Sequence, residues 1–573
     1  MSEQQLSGLG ASPGIAIGPV FRYEKQRLRA EKVHVDDPAA ERAALQAALE
    51  QAASELEALR ARTAQDAGAE EAAIFEAQGL FLEDPELLQQ VRTLIDEERV
   101  SAAYAWDQGS HFYAQMLRDL DDPYLAQRAM DVEDVAQRVL AILQGEDRGD
   151  VRLSQPAVIV AQDLAPSDTV SLQKEMVLAF CTAEGGPTSH AAILAKALGV
   201  PAVVGLGSDL LALESGAQVI VDGDAGVLLP DPDEDDLQQY ARRRRALSSL
   251  RSEAEARTRE PAVTRDGVAV EVVANVANLA DAQQALEYGA EGIGLLRTEF
   301  LFLNRAEAPL EEEQVAAYRA ILQVMEQRPV IVRTLDIGGD KPAPYLDLPA
   351  EDNPFLGRRG IRLTLHLTEL FETQLRALLR AGRGHNLKIM FPMVGSLAEL
   401  QRAQGHLQAA REQLEARGEP YAEALEVGIM IEVPSAALIA GVLAQQVDFF
   451  SIGTNDLTQY TMAAARTNAT VADLASPFHP AVLRLMQMTI DAAHEQGRWV
   501  GLCGEFAGNP LAAPLLLGLG LDEFSMSPRS IPLVKESLRR LSSERARDIA
   551  RQALGLPDAG EVEAYLESVQ EEG

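Results

Sequence analysis

Residues 427–456 read VGIMIEVPSAALIAGVLAQQVDFFSIGTND, and their reading decides the architecture of the C-terminal half. VGIMIE is a short apolar run closed by a lone carboxylate, Glu432; VDFFSIGT is a second such run, followed at once by Asn455 and Asp456, with an alanine- and leucine-rich helical stretch between them. Strand, helix, strand, with each strand nearly unbroken in hydrophobicity, is the pattern of a parallel sheet covered on both faces. Working outward from this unit, EVVANV, GIGLLR, PVIVRTLD and KIMFPMV precede it and WVGLCG and DEFSM follow it. Together they make eight strand candidates after Pro261, most of them separated by helical stretches, which is what a (β/α)8 barrel requires.

In that fold the chemistry sits at the carboxyl ends of the strands. Arg297 ends GIGLLR, Arg333 ends PVIVR, Glu432 ends GIMIE, Asn455 and Asp456 follow FFSIGT, and Cys503 ends WVGLC. Polar groups recurring at one end of apolar strands are expected to serve a ligand, because desolvating charge without partners is costly. Glu432 and Asp456 offer hard oxygen ligands suited to Mg2+. Arg297 and Arg333, with Arg466 ten residues past Asp456, offer planar forks for phosphate or carboxylate oxygens. The expected ligand is small, anionic and phosphorylated, and Cys503 is a candidate proton donor to it.

The N-terminal half has a different texture. SPGIAIGPVFRY (residues 12–23) reads as a turn with short strands, whereas residues 24–145 are rich in Ala, Glu, Gln, Arg and Leu at helical spacing, as in Leu45, Leu49, Leu56 and Leu59. From Val151 short β-branched runs return, so the helical unit, of about four helices, is expected to interrupt one α/β domain. Residues 231–260 are highly charged with helical spacing and read as a helical linker.

A net charge of −36 argues against nucleic acid or an anionic membrane as main partner and favours a basic protein. No apolar run approaches the length of a membrane span, which points to a soluble cytoplasmic chain. The two cysteines, Cys181 and Cys503, are far apart in sequence and are not expected to pair.

The segment CTAEGGPTSHAAILAKALGVPAVVG runs strand, glycine turn, helix. Thr188 or Ser189 suits the helix cap, which places His190 in a first turn whose free N–H groups favour an anion such as a phosphoryl group on the ring. Thr169 is a candidate hydroxyl partner that orients that ring.

These strings resemble a known family. GGPTSHAAILAKALGVPAVVG is similar to the phosphohistidine motif shared by Enzyme I of the phosphoenolpyruvate:sugar phosphotransferase system, pyruvate phosphate dikinase and phosphoenolpyruvate synthase. GIGLLRTEFLF, RTLDIGGDKP, NPFLGRRGIR, IMFPMV, GIMIEVPSAA, FFSIGTNDLTQYTMAAAR, GLCGEFAG and LDEFSMSP resemble the family's barrel motifs, in the expected order. The resemblance implies His190 as phosphorylated nucleophile and Glu432 and Asp456 as Mg2+ ligands. It implies Arg297, Arg333, Asn455, Asp456 and Arg466 as phosphoenolpyruvate contacts, Lys341 as a further phosphate contact, and Cys503 as the acid that protonates the enolate carbon. No glycine-rich nucleotide loop precedes the histidine segment, so the Enzyme I branch is expected rather than the dikinases.

That branch implies a multidomain α/β chain: an α/β phosphohistidine domain (1–23 and 146–230), an inserted helical bundle that docks the carrier HPr (24–145), a helical linker (231–260), and a C-terminal TIM-type barrel that binds phosphoenolpyruvate and forms a homodimer (261–573). AEEAAIFEAQGLFLEDPEL resembles part of the docking unit, with Glu70, Glu71, Glu83 and Asp84 placed to steer a basic carrier. Ala465 and Thr467 depart from the family's usual residues around Arg466, which loosens the expectation for that side chain. The alternatives are a free-standing relative of the dikinases with another acceptor and a silent regulatory relative; intact His190, Glu432, Asp456 and Cys503 weigh against the second.

Overall fold

The structure is a computed structural model; it describes residues 5–571 apart from 24–27, 67–74, 76–77, 119–122, 147–152, 165–173, 187–188, 304, 339–344, 347–350, 466–467, 469–470 and 472–473. The chain divides into two compact units, Met1–Ser248 and Ser249–Gly573.

The first unit is organised by an eight-stranded sheet: β1 (Leu6–Ser7), β2 (Leu9–Ser12), β3 (Ile15–Arg22), β4 (Ala157–Ala161), β5 (Val177–Thr182), β6 (Ala202–Val204), β7 (Gln218–Asp222) and β8 (Val227–Pro230), in the order β1-β8-β7-β3-β4-β5-β6-β2. β3 to β6 run parallel, and the outer pairs are antiparallel. β4 is buried at all five positions. The period of two explains this: Val158 and Val160 pack with Cys181 and Val203 on one face, while Ile159 and Ala161 pack with Phe180 and the alanines of the following helix on the other.

Between β3 and β4 come helices α1 (Pro38–Asp66), α2 (Pro85–Glu97), α3 (Ala102–Arg118) and α4 (Pro123–Gln144). Since β3 and β4 pair directly, Val20 opposite Val158, these helices interrupt a sheet that is continuous without them. Their core gathers Leu45, Leu49, Leu56, Leu87, Val91, Ile95 and Val139 around Trp106, whose indole N–H donates to the Ala136 carbonyl at 3.0 Å. Helix α5 (His190–Leu198) follows β5, and α6 (Glu234–Ala256) follows β8.

The second unit is a closed barrel of eight parallel strands. After the short β9 (Ala262–Val263), these are β10 (Ala269–Val276), β11 (Ile293–Leu296), β12 (Val330–Arg333), β13 (Leu387–Phe391), β14 (Glu426–Ile431), β15 (Phe449–Gly453), β16 (Trp499–Cys503) and β17 (Glu523–Met526). Each pairs with the next, and β17 returns to β10, Glu271 opposite Glu523, to close the ring. All eight strands expected from the sequence are present in the expected order. Outward-facing residues such as Val272, Ala274, Ile389, Ile431 and Ile452 pack against the surrounding helices. No helix among the described residues is long and apolar enough to cross a membrane.

Candidate active site

Alternate residues of each barrel strand point inward and stack in tiers. The middle tier is apolar, with Leu295, Ile331, Met390 and Met430 in one cluster that extends to Phe449 below and Cys503 above. Above it, where the strands end, the interior turns abruptly polar.

Arg333, the last residue of β12, is buried; its Nη2 donates to Glu299 and its Nη1 lies 3.1 Å from Asp336 Oδ2. Arg359, also buried, donates from Nη1 to Asp456 Oδ1 at 2.9 Å and to the Tyr460 hydroxyl at 3.3 Å, and from Nη2 to Asp336 Oδ2 at 3.1 Å. Asp336 therefore bridges the two guanidinium groups. Burial works against charge on both arginines, yet the carboxylates around them more than offset it and hold both firmly protonated.

Glu432 follows β14 at 1% exposure, and its Oε1 accepts the Met393 N–H at 2.5 Å. Met393 adopts φ 54°, a left-handed conformation uncommon for a residue with a side chain, at the turn that delivers this donor. Burial, with Asp456 and Asp336 alongside, pushes the Glu432 carboxyl up to about 8 in spite of Arg333 and Arg359. Gly453 leaves the space beside it open: a Cβ there would stand 3.0 Å from Glu432 Oε2.

Cys503 ends β16 with Sγ donating to the Ile452 carbonyl at 3.7 Å. Burial pushes its thiol up to about 11, against the Ser451 hydroxyl and Arg333, which draw it down. Such a thiol keeps its proton at neutral pH, as a proton donor must. Several buried atoms here lack partners among the described residues: Arg333 Nε, Arg359 Nε, Glu299 Oε2, Thr334 Oγ1 and Thr454 Oγ1. Donors and acceptors left open together, in one water-poor mouth, describe a socket for a polar ligand.

Of the residues expected from the sequence, the structure brings together Arg333, Glu432, Asp456 and Cys503. Arg297, exposed just past β11, is near enough for its charge to bear on the Cys503 thiol. Asn455 is exposed on the rim, its Oδ1 3.7 Å from where a Cβ on Gly504 would stand. Thr169, Lys341 and Arg466 lie outside the described residues, as do Glu70 and Glu71. Sequence reasoning missed Glu299, Asp336 and Arg359, although they sit within the strings GIGLLRTEFLF, RTLDIGGDKP and NPFLGRRGIR.

The mouth also fits a divalent cation. Four carboxylates, Glu299, Asp336, Glu432 and Asp456, face two buried guanidinium groups, an excess of negative charge that adds to burial in raising the Glu432 pKa. No group of three His, Cys, Asp or Glu side chains among the described residues is already poised around a metal. A cation here would rest on Glu432 and Asp456, with its other positions left to water and ligand oxygens.

In the first unit, His190 is the first residue of α5. Ser189, not Thr188, caps the helix: its side chain accepts the Ala192 N–H at 3.4 Å. Gly185, at φ 95°, makes the preceding turn, and the open N–H groups of α5's first turn give the local field that favours an anion.

Three family models match the chain: the N-terminal part of PEP-utilising enzymes over residues 7–128, their mobile domain over 153–226 and their PEP-binding domain over 251–543. The chain is 48% identical over 565 residues to the phosphoenolpyruvate-protein phosphotransferase of Geobacillus stearothermophilus, covering 98% of each, and 44% identical over 564 residues to that of Bacillus subtilis, covering 98% of this chain and 99% of the relative. A solution structure of an Enzyme I protein, 38% identical, covers 42% of this chain and 99% of its own at a TM-score of 0.36. Matched by family models in both units and nearly end to end by its curated relatives, the chain belongs to the PEP-utilising enzymes, alongside the phosphoenolpyruvate-protein phosphotransferases.

Proposed function

We propose that the barrel mouth binds phosphoenolpyruvate, that His190 takes its phosphoryl group, and that the phosphohistidine passes it to a histidine of HPr as the first step of the sugar phosphotransferase system. The observation that carries this reading is the buried mouth itself: two arginines spread between four carboxylates, with unpartnered donors and acceptors, around a thiol that holds its proton. Arg297, Arg333 and Arg359, joined by Lys341, Asn455 and Arg466, suit the carboxylate and phosphate oxygens of a small trianion. Glu432 and Asp456 would hold Mg2+, which would supply positive charge to offset that of the anionic ligand.

The transfer itself is a displacement at phosphorus. A neutral ring nitrogen of His190 forms the N–P bond as the bond from phosphorus to the enol oxygen breaks, and Thr169 orients the ring. Cys503 gives its proton to C3 of the departing enolate, which yields pyruvate, and the thiolate regains a proton from solvent. Nucleophile and donor pocket are carried on different units, so the reaction requires the histidine unit to approach the barrel and withdraw, with the 231–260 segment as hinge region.

HPr docking is assigned to the helical insert, residues 24–145. There Leu80, Phe112 and Met116 are 69%, 59% and 41% exposed, an apolar surface suited to a partner, and Glu83 is exposed beside it. Asp84 is committed elsewhere: its side chain caps α2 and accepts the Tyr113 hydroxyl at 3.1 Å. A homodimer through the barrel is assigned to the exposed Leu438, Val442 and Met488, carried by Pro434–Leu438, by Ala440–Leu443 and by the helix Pro480–Glu495 packed against them. Cytoplasmic residence follows from the same assignment, HPr being a soluble carrier.

The test is incubation with labelled phosphoenolpyruvate and Mg2+, with and without HPr. Acid-labile, base-stable label on His190 that chases onto HPr is expected, and His190→Ala should abolish both half-reactions. Normal uptake with no transfer to HPr would favour a free-standing relative with another acceptor. Transfer to HPr by His190→Ala would overturn the assignment.

A further inference from the structure

Two residues before the mouth, on the inner face of β15, Ser451 is fully buried; its hydroxyl makes no hydrogen bond of good geometry among the described residues, yet it stands near enough to the Cys503 thiol to draw that group's pKa down. Leaving such a group unpaired costs about 1–3 kcal/mol, so a partner is expected in some other state of the site. The register names that partner. Ser451 stands opposite Gly501, which has no side chain, and Gly453 stands opposite Cys503. The nearest side chain on the inner face of β16 above Gly501 is therefore that of Cys503, whose Sγ is held on the carbonyl of Ile452, the residue next to Ser451. Apart from the Ser451 hydroxyl and the charged groups Arg297, Arg333 and Glu432, the thiol's cluster is apolar: Leu295, Ile331, Met390, Met430 and Phe449.

We infer that Ser451 is a positioning residue for protonation of the enolate: its hydroxyl aims the Cys503 thiol and donates a hydrogen bond to the sulfur as the S–H bond breaks. The inference rests on the reading of Cys503 as the acid. In the step, the enolate's carbon-carbon π electrons form the new C3–H bond, the enolate oxygen becomes the ketone oxygen, and negative charge moves to sulfur. Ser451 keeps its own proton throughout. A hydroxyl within the apolar tier bonds a neutral thiol only weakly but stabilises the thiolate, so its help is concentrated where charge develops.

Ser451→Ala should slow pyruvate formation roughly 10- to 100-fold, the worth of one hydrogen bond to a charged group, while His190 still exchanges phosphate with HPr at the normal rate. The solvent isotope effect on pyruvate formation should rise as protonation becomes limiting. With C3-labelled phosphoenolpyruvate in heavy water, the chirality of the product methyl should be eroded, and Ser451→Thr should restore both rate and chirality. Equal slowing of both half-reactions, or full chirality in Ser451→Ala, would overturn the inference. If Cys503→Ala itself leaves pyruvate formation and chirality intact, the acid assignment falls instead, so the two failures are distinguishable.

Discussion

The two ends of the barrel each bury a glutamate whose carboxyl is pushed up to about 8, Glu432 at the mouth and Glu523 at the floor, yet they make different environments of it. At the floor, Glu523 is 2% exposed and its Oε1 has no hydrogen-bond partner among the described residues; burial is the main cause of its shift, with Glu271 next, against the pull of Lys388. Lys388 is bonded to Glu426 at 2.9 Å and sits 4.5 Å from the centroid of the Trp499 ring, which stacks on Phe449. Glu523, Glu271, Asp522 and Glu426 face one ammonium group, and at the mouth four carboxylates face two buried guanidinium groups, so carboxylates are in excess at both ends. Net charge therefore does not separate a structural tier from a binding one. What separates them is the presence at the mouth of buried donors with free valence, Arg333 Nε and Arg359 Nε, beside free acceptors. Both ends favour a proton on the buried glutamate, but the floor leaves only an acceptor open whereas the mouth keeps both signs open for a ligand.

The sharpest way to break this comparison is to neutralise both glutamates. Glu432→Gln should reduce phosphoenolpyruvate-dependent labelling of His190 by about a thousandfold or more, while Glu523→Gln leaves it within twofold; comparable losses would erase the distinction. Next in size, Arg359→Leu strands Asp456, leaves Asp336 to Arg333 alone and should cost about 3–5 kcal/mol in urea unfolding of the intact chain.

The floor's pH response is smaller and has a fixed sign. The folded pKa of Glu523 is raised above its unfolded value of 4.5 to about 8, so its favourable contribution is complete below 4.5 and is lost as pH climbs to about 8. Glu523→Gln should therefore match wild type near pH 4.5, exceed it at pH 8 and flatten the stability profile between them; an unchanged profile would remove the proton from the floor. Smallest of all, Lys388→Met frees Glu426, a half-exposed group, and should cost about 1 kcal/mol or less.

The eight strands were legible because a strand covered on both faces must be apolar throughout, and its ends then stand out as the first charged residue. That rule finds Arg333, Glu432 and Cys503, each at or next to a strand end. It misses Asp336 and Glu299, three and two residues beyond Arg333 and Arg297, and Arg359, which arrives from a long excursion after β12. Loop residues have no periodicity to fix their direction, so only the folded structure reveals that Asp336 links two arginines. The helix start at His190 was legible for the opposite reason: a cap is a local device, and the sequence left open only whether Thr188 or Ser189 serves. Asp84 shows the reverse limit, since an acidic residue before Pro85 reads equally as surface charge or as the cap it proves to be.

The parallel pairing of β3 with β4 constrains how the helical insert can be removed or exchanged. Two parallel neighbours leave and enter the sheet at opposite edges, so a tight turn cannot join Arg22 to Ala157. A shortened chain lacking α1 to α4 would still need a connector of roughly a dozen residues to traverse the sheet. The insert thus doubles as the bridge that lets the sheet close its own topology, and engineers who transplant it must carry over its span as well as its surface.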